Sequence, residues 1–128
     1  MRVAIHAITD VKGVMGISYE VVGTPTTSKE DDIAYRTSVR CVGSATIIAG
    51  ETTDFGSCVS TDPEGDHIFV VYSAHGKDPG TWKAVAGTGK YEGIEASGTW
   101  AHVIVPGKPA RPDYWQSCDR ETGHWKLK

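Results

Sequence analysis

Apolar and polar residues alternate with a period of two along most of this chain, the pattern of β-strands rather than helices. The clearest case flanks DPEGD at residues 62–66, where Pro63 presets φ and Gly65 accepts a positive one. TTDFGSCVST before it and DHIFVVYSAHG after it are therefore expected to form a hairpin. In the second run His67, Phe69, Val71, Ser73 and His75 share one face, while Ile68, Val70, Tyr72 and Ala74 share the other. Both faces are largely apolar, which predicts a strand covered on both sides, as in a barrel or a sandwich.

The same alternation marks VAIHAI, GISYEVVG, TWKAVAG at 81–87 and GTWAHVIV at 98–105, with KDPG at 77–80 as a turn. YRTSVRCVGSATII is a further strand, expected to bend at Gly43, and the tail divides into YWQSC, a turn at DRETG, and HWKLK. These runs add up to about eight strands with short connections, the spacing of an antiparallel meander or barrel. Only TPTTSKEDD at 24–32 and PGKPARPD at 106–113 read as longer loops.

Composition supports strands and turns: 15 of 128 residues are glycine, against an ordinary share near 7%. The length suits one domain, residues 1–128. The glycine-rich stretch GTGKYEGIEASGTW is not a phosphate loop. Ala84 stands where a Walker loop needs its first glycine, Tyr91 replaces the hydroxyl residue after Lys90, and no helical stripe follows. The dinucleotide fingerprint also fails, by one extra residue between Gly89 and Gly93. Gly87, Gly89 and Gly93 instead predict a tight irregular connection, from which Tyr91 and Ile94 turn inward to close one end of the core.

Thirteen Lys and Arg against 16 Asp and Glu give a net charge of −3, with no basic run, so no nucleic-acid partner is expected. No apolar run approaches the ~20 residues of a spanning helix, and MRVAIHAITD lacks the apolar stretch of a signal peptide, so a soluble chain without membrane insertion is expected. The compartment stays open between the cytoplasm and a secreted or periplasmic mature chain. Cys41, Cys58 and Cys118 form no C-x-x-C pair, leaving either one bridge and one thiol or three thiols.

TDPEGDHIFVVY, GTGKYEGIEASGTW, and a closing Cys and Gly-aromatic-Lys run together resemble the small bacterial β-barrel proteins related to allene oxide cyclase and the dirigent proteins, over roughly residues 39–128. The resemblance implies an all-β, about eight-stranded antiparallel closed barrel of calycin-like form, with a mainly apolar cavity and no organic cofactor. It implies a homodimer or homotrimer, a small hydrophobic molecule as partner, and a Cys58–Cys118 bridge. The activity it implies is a cofactor-independent cyclase or isomerase acting in the lumen. The alternatives are a non-catalytic, dirigent-like carrier of a hydrophobic ligand and a structural oligomer with a filled core.

No catalytic motif of that family transfers residue by residue, so candidates come from the chemistry of the side chains. His75 and His102 titrate near neutrality and would serve as acid or base, His67 less so. Glu95, beside Ala96 and Ser97, would have a raised pKa if it faced a dry lumen, and Tyr72 adds a hydroxyl on an apolar strand. Tyr35, Arg36, Arg40 and Tyr91 supply further polar groups. Asp62, Glu64 and Asp66 alternate like calcium ligands but lack the later Gly and Glu of an EF-hand, so they read as a solvated acidic turn and no metal is expected. Trp82, Trp100, Trp115 and Trp125 fill a core or line a pocket.

Overall fold

In a computed structural model, which describes residues 2–8, 11–105, 107–108, 110–112 and 114–128 with side chains from residue 11 onward, the alternating runs become nine strands. They are β1 (Arg2–Ile8), β2 (Val14–Gly23), β3 (Ser38–Ile48), β4 (Glu51–Thr61), β5 (His67–His75), β6 (Gly80–Gly87), β7 (Glu95–Ile104), β8 (Tyr114–Trp115) and β9 (Cys118–Lys126). Ala49 and Gly50, at φ 52° and 79°, make the two-residue turn between β3 and β4 that matches the twist of its flanking strands. The loop expected at 24–32 is irregular chain, while Pro106, Pro109 and Asp113 of the other expected loop lie outside the described residues.

All pairings are antiparallel, and the order is β8-β1-β2-β3-β4-β5-β6-β7-β9. This corrects the expectation of a closed barrel. The hydrogen-bonded ladder is open, because β8 and β9 stand at its two ends and are not partners of each other. The physical reason lies in the last strand run. Trp115 pairs with Val3 on β1 and Cys118 with Ile104 on β7, so the chain leaves one edge and joins the other across Gln116 and Ser117 instead of pairing with both along its length. That passage spans at most ~11 Å. The edges of a flat nine-stranded sheet would stand ~38 Å apart. The sheet therefore curls until its two edges approach.

Directly paired residues share a face, so the register sorts every strand. One face carries Tyr19, Cys41, Ala45, Asp54, Cys58, Ile68, Val70, Tyr72, Trp82, Ala84, Ala96 and Trp100. All buried apolar strand residues among those described belong to it, which makes it the inward, concave face. The outward face of β3 to β6 is exposed, with Phe55 at 58% and Val42 at 47% accessibility. The second cover expected over β5 is thus missing: Phe69 and Val71 face outward and are 39% exposed.

Gly43 does not bend β3, and DRETG is not a turn but the interior of β9. Across the sheet runs one row of paired positions, Tyr19, Gly43, Gly56 and Tyr72, on β2 to β5. A Cβ at Gly43 would collide with both tyrosines, and one at Gly56 with Tyr72. The row continues through Trp82, Gly98 and Gly123, and a Cβ at Gly123 would meet the Trp82 ring at 2.7 Å. Gly43, Gly56 and Gly123 are shelves for neighbouring aromatic rings, whereas Gly98 lies against the backbone of Thr122 and Gly123.

The stretch 87–94 closes one end as expected. Residues Gly89–Tyr91 form a single 3-10 turn, and Tyr91 and Ile94 are buried with Ile68, Ala84 and Ala96, flanked by Ile33, Val70 and Trp82. The acidic turn anchors this plug and is not merely solvated. Asp62 is buried; it accepts hydrogen bonds from the backbone N–H groups of Glu64 and Asp66 (2.9 Å each) and from the Tyr91 hydroxyl (3.2 Å). Lys90 Nζ lies 2.6 Å from Asp62 and 2.9 Å from Glu64, and its hydrogen bond holds the Asp62 carboxyl down at about 2. Lys90 thus ties all three acids of the turn, Asp62 and Glu64 through its Nζ and Asp66 through its backbone N–H, which donates to Oδ2 at 3.3 Å.

The bridge is Cys41–Cys58, not Cys58–Cys118. Cys41 and Cys58 face each other across β3 and β4, whereas Cys118 lies opposite Ile104 on β7 and is exposed. Thiol titration of the unreduced, denatured protein should find one thiol, and none in Cys118→Ser; three thiols would refute the bridge. Gly56→Ala should destabilise the fold by about 1–3 kcal/mol in urea denaturation, the ordinary cost of overpacking, because its Cβ meets Tyr72 and the Val42 carbonyl.

Candidate functional site

The tyrosines of the glycine row begin three strand spacings apart, ~14 Å at their backbones, and lean toward each other over the two glycines until their hydroxyls meet at 2.6 Å. The Tyr19 hydroxyl also reaches Asp54, one inward position further along β4, and donates to its Oδ1. Burial pushes the Asp54 carboxyl up, opposed by the Tyr19 hydrogen bond and by the nearby charge of His102. Burial likewise pushes Tyr72 up to about 12 and Tyr19 further still. The result is a carboxylate with raised basicity tied to two neutral phenols.

Beside Tyr72 the inward face continues as a run of rings. Tyr72 meets Trp100 edge-to-face at 6.0 Å, Trp100 meets His102 at 5.4 Å, and His102 meets Trp115 at 5.1 Å. Trp100 keeps its place because Gly80, its partner on β6, offers no Cβ to displace its indole. The contact between His102 on β7 and Trp115 on β8 exists only because the sheet curls.

His102 Nδ1 lies 2.5 Å from Asp119 Oδ1 on the paired strand β9. This hydrogen bond raises the imidazole pKa, with burial opposing it. Engaging Nδ1 leaves Nε2 without a hydrogen-bond partner among the described residues. Glu121, opposite Trp100, shares the inward register but is exposed; neighbouring protein and the charge of Asp119 push its carboxyl up.

The structure therefore brings Tyr72 and His102 together and separates them from Glu95 and His75. Glu95 begins β7 on the outward face and is exposed. His75 is exposed at the end of β5, where Nδ1 lies 2.8 Å from Thr53 Oγ1 and Nε2 2.8 Å from Glu51 Oε1. His67 is outward too, with Nδ1 2.9 Å from Thr61 Oγ1. Arg40 pairs outward with Glu20 at 2.7 Å, and Tyr91 belongs to the plug. Tyr35 and Arg36 sit in the turn before β3.

Tyr19, Asp54, Asp119 and Glu121 escape motif reading because they lie on four runs that only pairing brings together. The available signal was the register: the Ala49-Gly50 turn fixes Gly43 opposite Gly56, and the DPEGD turn fixes Gly56 opposite Tyr72. Two shallow depressions, about 540 and 590 Å³, open over outward positions such as Phe55, Val71, Thr81 and Lys83, and Tyr72 contributes to the lining of both.

Comparison with known proteins finds no matching family model, curated protein or solved structure.

Asp119→Asn should lower the His102 pKa, read by NMR titration of the imidazole, because the charged acceptor is lost. The sign for stability follows. A folded-state pKa above the unfolded value stabilises at low pH and loses its effect as pH rises through the folded value. Wild type should exceed Asp119→Asn in stability most at mildly acidic pH, with the gap narrowing above neutrality. An unchanged His102 titration would show that the Asp119 bond does not hold the proton.

Proposed function

We propose that the concave face binds a small, mainly apolar molecule and moves protons on it without a cofactor, as an isomerase or cyclase does. The observation that carries this reading is the convergence of two proton-handling units, Asp54 with its two tyrosines and His102 with Asp119, on one aromatic surface. Their environments push their roles apart, the pattern that assigns acid and base in a shared site. Asp54, raised by burial, is the base that takes a proton from a substrate carbon; the His102 imidazolium, held by Asp119, donates from Nε2 to the substrate oxygen. Asp54 then returns its proton to a different carbon while the enol hydroxyl gives its proton back to His102 Nε2, which completes an isomerisation and restores both groups. The apolar rings orient the substrate, a contribution through proximity.

The sequence resemblance to allene oxide cyclase relatives points in the same direction, since cyclisation there rests on moulding a reactive apolar molecule. A wholly filled core is disfavoured, because the inward Tyr19, Asp54, Tyr72 and Trp100 are only half-buried. Titratable groups on the binding face favour an enzyme over a carrier, which needs only apolar walls.

The test is deuterium exchange. Wild-type protein in D2O with a panel of small ketones and enones, followed by NMR, should label the carbon beside the carbonyl of at least one compound. His102→Gln and Asp54→Asn should slow labelling by about 10²–10⁴ while retaining binding and strand content. Binding with no labelling of any compound would leave a carrier in place of an enzyme, and labelling unchanged in both variants would remove these residues from the chemistry.

A further inference from the structure

We infer that the molecule received by the concave face carries, besides the carbonyl that reacts, a second neutral acceptor oxygen, as a keto ester or a diketone does. This rests on the ligand-binding reading above and adds the class of the ligand.

The observation behind it is an excess of unanswered donors. Three buried side-chain polar atoms have no partner among the described residues: Trp82 Nε1, Trp100 Nε1 and Ser117 Oγ. An indole nitrogen can only donate, and a hydroxyl can donate. No carboxylate or phenol oxygen is left in that condition among the described residues. The inward Asp54 and Asp119 are taken by Tyr19 and His102. Buried donors nearly always meet an acceptor, so each one without is a place for a group that the chain does not provide. What this face lacks is acceptors.

The three donors belong to one surface. Trp82 on β6 pairs with Tyr72 and Gly98, and Trp100 on β7 pairs with Gly80, so the two indoles are diagonal neighbours on the inward register. The Trp100 ring touches both Tyr72 and His102. Ser117 is only 5% exposed, between the exposed Gln116 and Cys118, so its side chain turns inward in step with Trp115 and Asp119. Both of those meet His102, the first ring to ring at 5.1 Å and the second through Nδ1. The hydroxyl therefore stands at the His102 end of the face, and the indoles stand toward Tyr72.

This division asks for two oxygens. His102 Nε2 serves the reacting oxygen, with Ser117 on the same side. Trp100 lies two residues from His102 along β7, ~7 Å at the backbone, and Trp82 lies one strand further. One oxygen accepts from donors ~3 Å away, so a second oxygen across a short apolar link is needed to answer the indoles. That oxygen is neutral. The lysines and arginines at described strand positions from β2 onward, Arg40, Lys83, Arg120 and Lys126, all fall on the outward register, so a carboxylate would find no counter-charge beside the indoles and like charge from Asp54 and Asp119.

The experiment titrates the whole protein with four compounds on one frame: butylbenzene, butyrophenone, methyl benzoylpropionate and the benzoylpropionate anion. Binding is followed at the indole N–H resonances of Trp82 and Trp100 by NMR. The keto ester should bind tightest, then the ketone, then the hydrocarbon, each carbonyl adding about fivefold in affinity, and the anion should bind more weakly than its ester. The keto ester should also move both indole N–H resonances downfield. Trp100→Phe should erase the advantage of the keto ester over butyrophenone. Ser117→Ala, which removes only the hydroxyl, should narrow the gap between butyrophenone and butylbenzene, with strand content of both variants checked by circular dichroism. Equal binding of keto ester and butylbenzene, indole resonances that stay fixed as the keto ester binds, or an anion tighter than its ester would overturn the two-oxygen assignment while leaving an apolar site. Binding of none of the four would overturn the ligand reading itself.

Discussion

The structure depends on the short passage through Gln116 and Ser117. Two residues carry the chain from the β1 edge of the sheet to the β7 edge, and no flat arrangement of nine strands permits that. Curling follows, and from curling follow the concave face, the contact of Trp115 with His102, and the placing of Asp119 and Glu121 on β9 beside Trp100. The ladder stays open, yet the crossing ties its edges together covalently. Such a tie also shields β8 and β9 from being bare edges free to recruit another strand.

Within the curled sheet, absence of side chains matters as much as their presence. Tyr19 and Tyr72 meet because Gly43 and Gly56 stand between them, Trp100 lies down because Gly80 is beneath it, and Trp82 reaches over Gly123. A glycine in a strand interior weakens the strand. Here that cost is offset by the burial of an aromatic ring over each vacancy, and the ring's polar atoms are brought to fixed positions. Gly43 and Gly56, side by side in one row, thereby convert backbone pairing into the geometry of the Tyr19–Asp54–Tyr72 unit.

Much of the fold was legible. Alternation located most of the strand runs, DPEGD and KDPG located turns, and the glycines of 87–93 correctly announced an irregular plug with Tyr91 and Ile94 inward. The errors share one cause. Gly43 and Gly123 read as breaks because a local pattern scores glycine as backbone freedom, while their use here is to receive rings from strands distant in sequence. The closed barrel and the Cys58–Cys118 bridge failed for a related reason: which edges and which cysteines meet is set by register, and Cys41 opposite Cys58 follows from the β3–β4 turn rather than from spacing alone. Of the site, Tyr72 and His102 were visible as polar groups on apolar strands; their partners Tyr19, Asp54 and Asp119 were not, because nothing local distinguishes an inward acid from an outward one.

The two ends of the sheet divide stability from chemistry. At the plug, Asp62 is fully answered by backbone amides, a phenol and Lys90, and the apolar cluster of Ile68, Ala84, Tyr91 and Ile94 is the most buried among the described residues. Away from the plug partners are fewer: the half-buried Asp54 is held by one phenol and pushed up by burial, and His102 Nε2 has no hydrogen-bond partner among the described residues. Buried polar groups without partners are costly, and proteins keep them where a bound molecule supplies what is missing. The end that satisfies Asp62 so fully is the one that holds the fold together, while the Tyr19–Asp54–Tyr72 and His102–Asp119 units lie on the less buried part of the concave face.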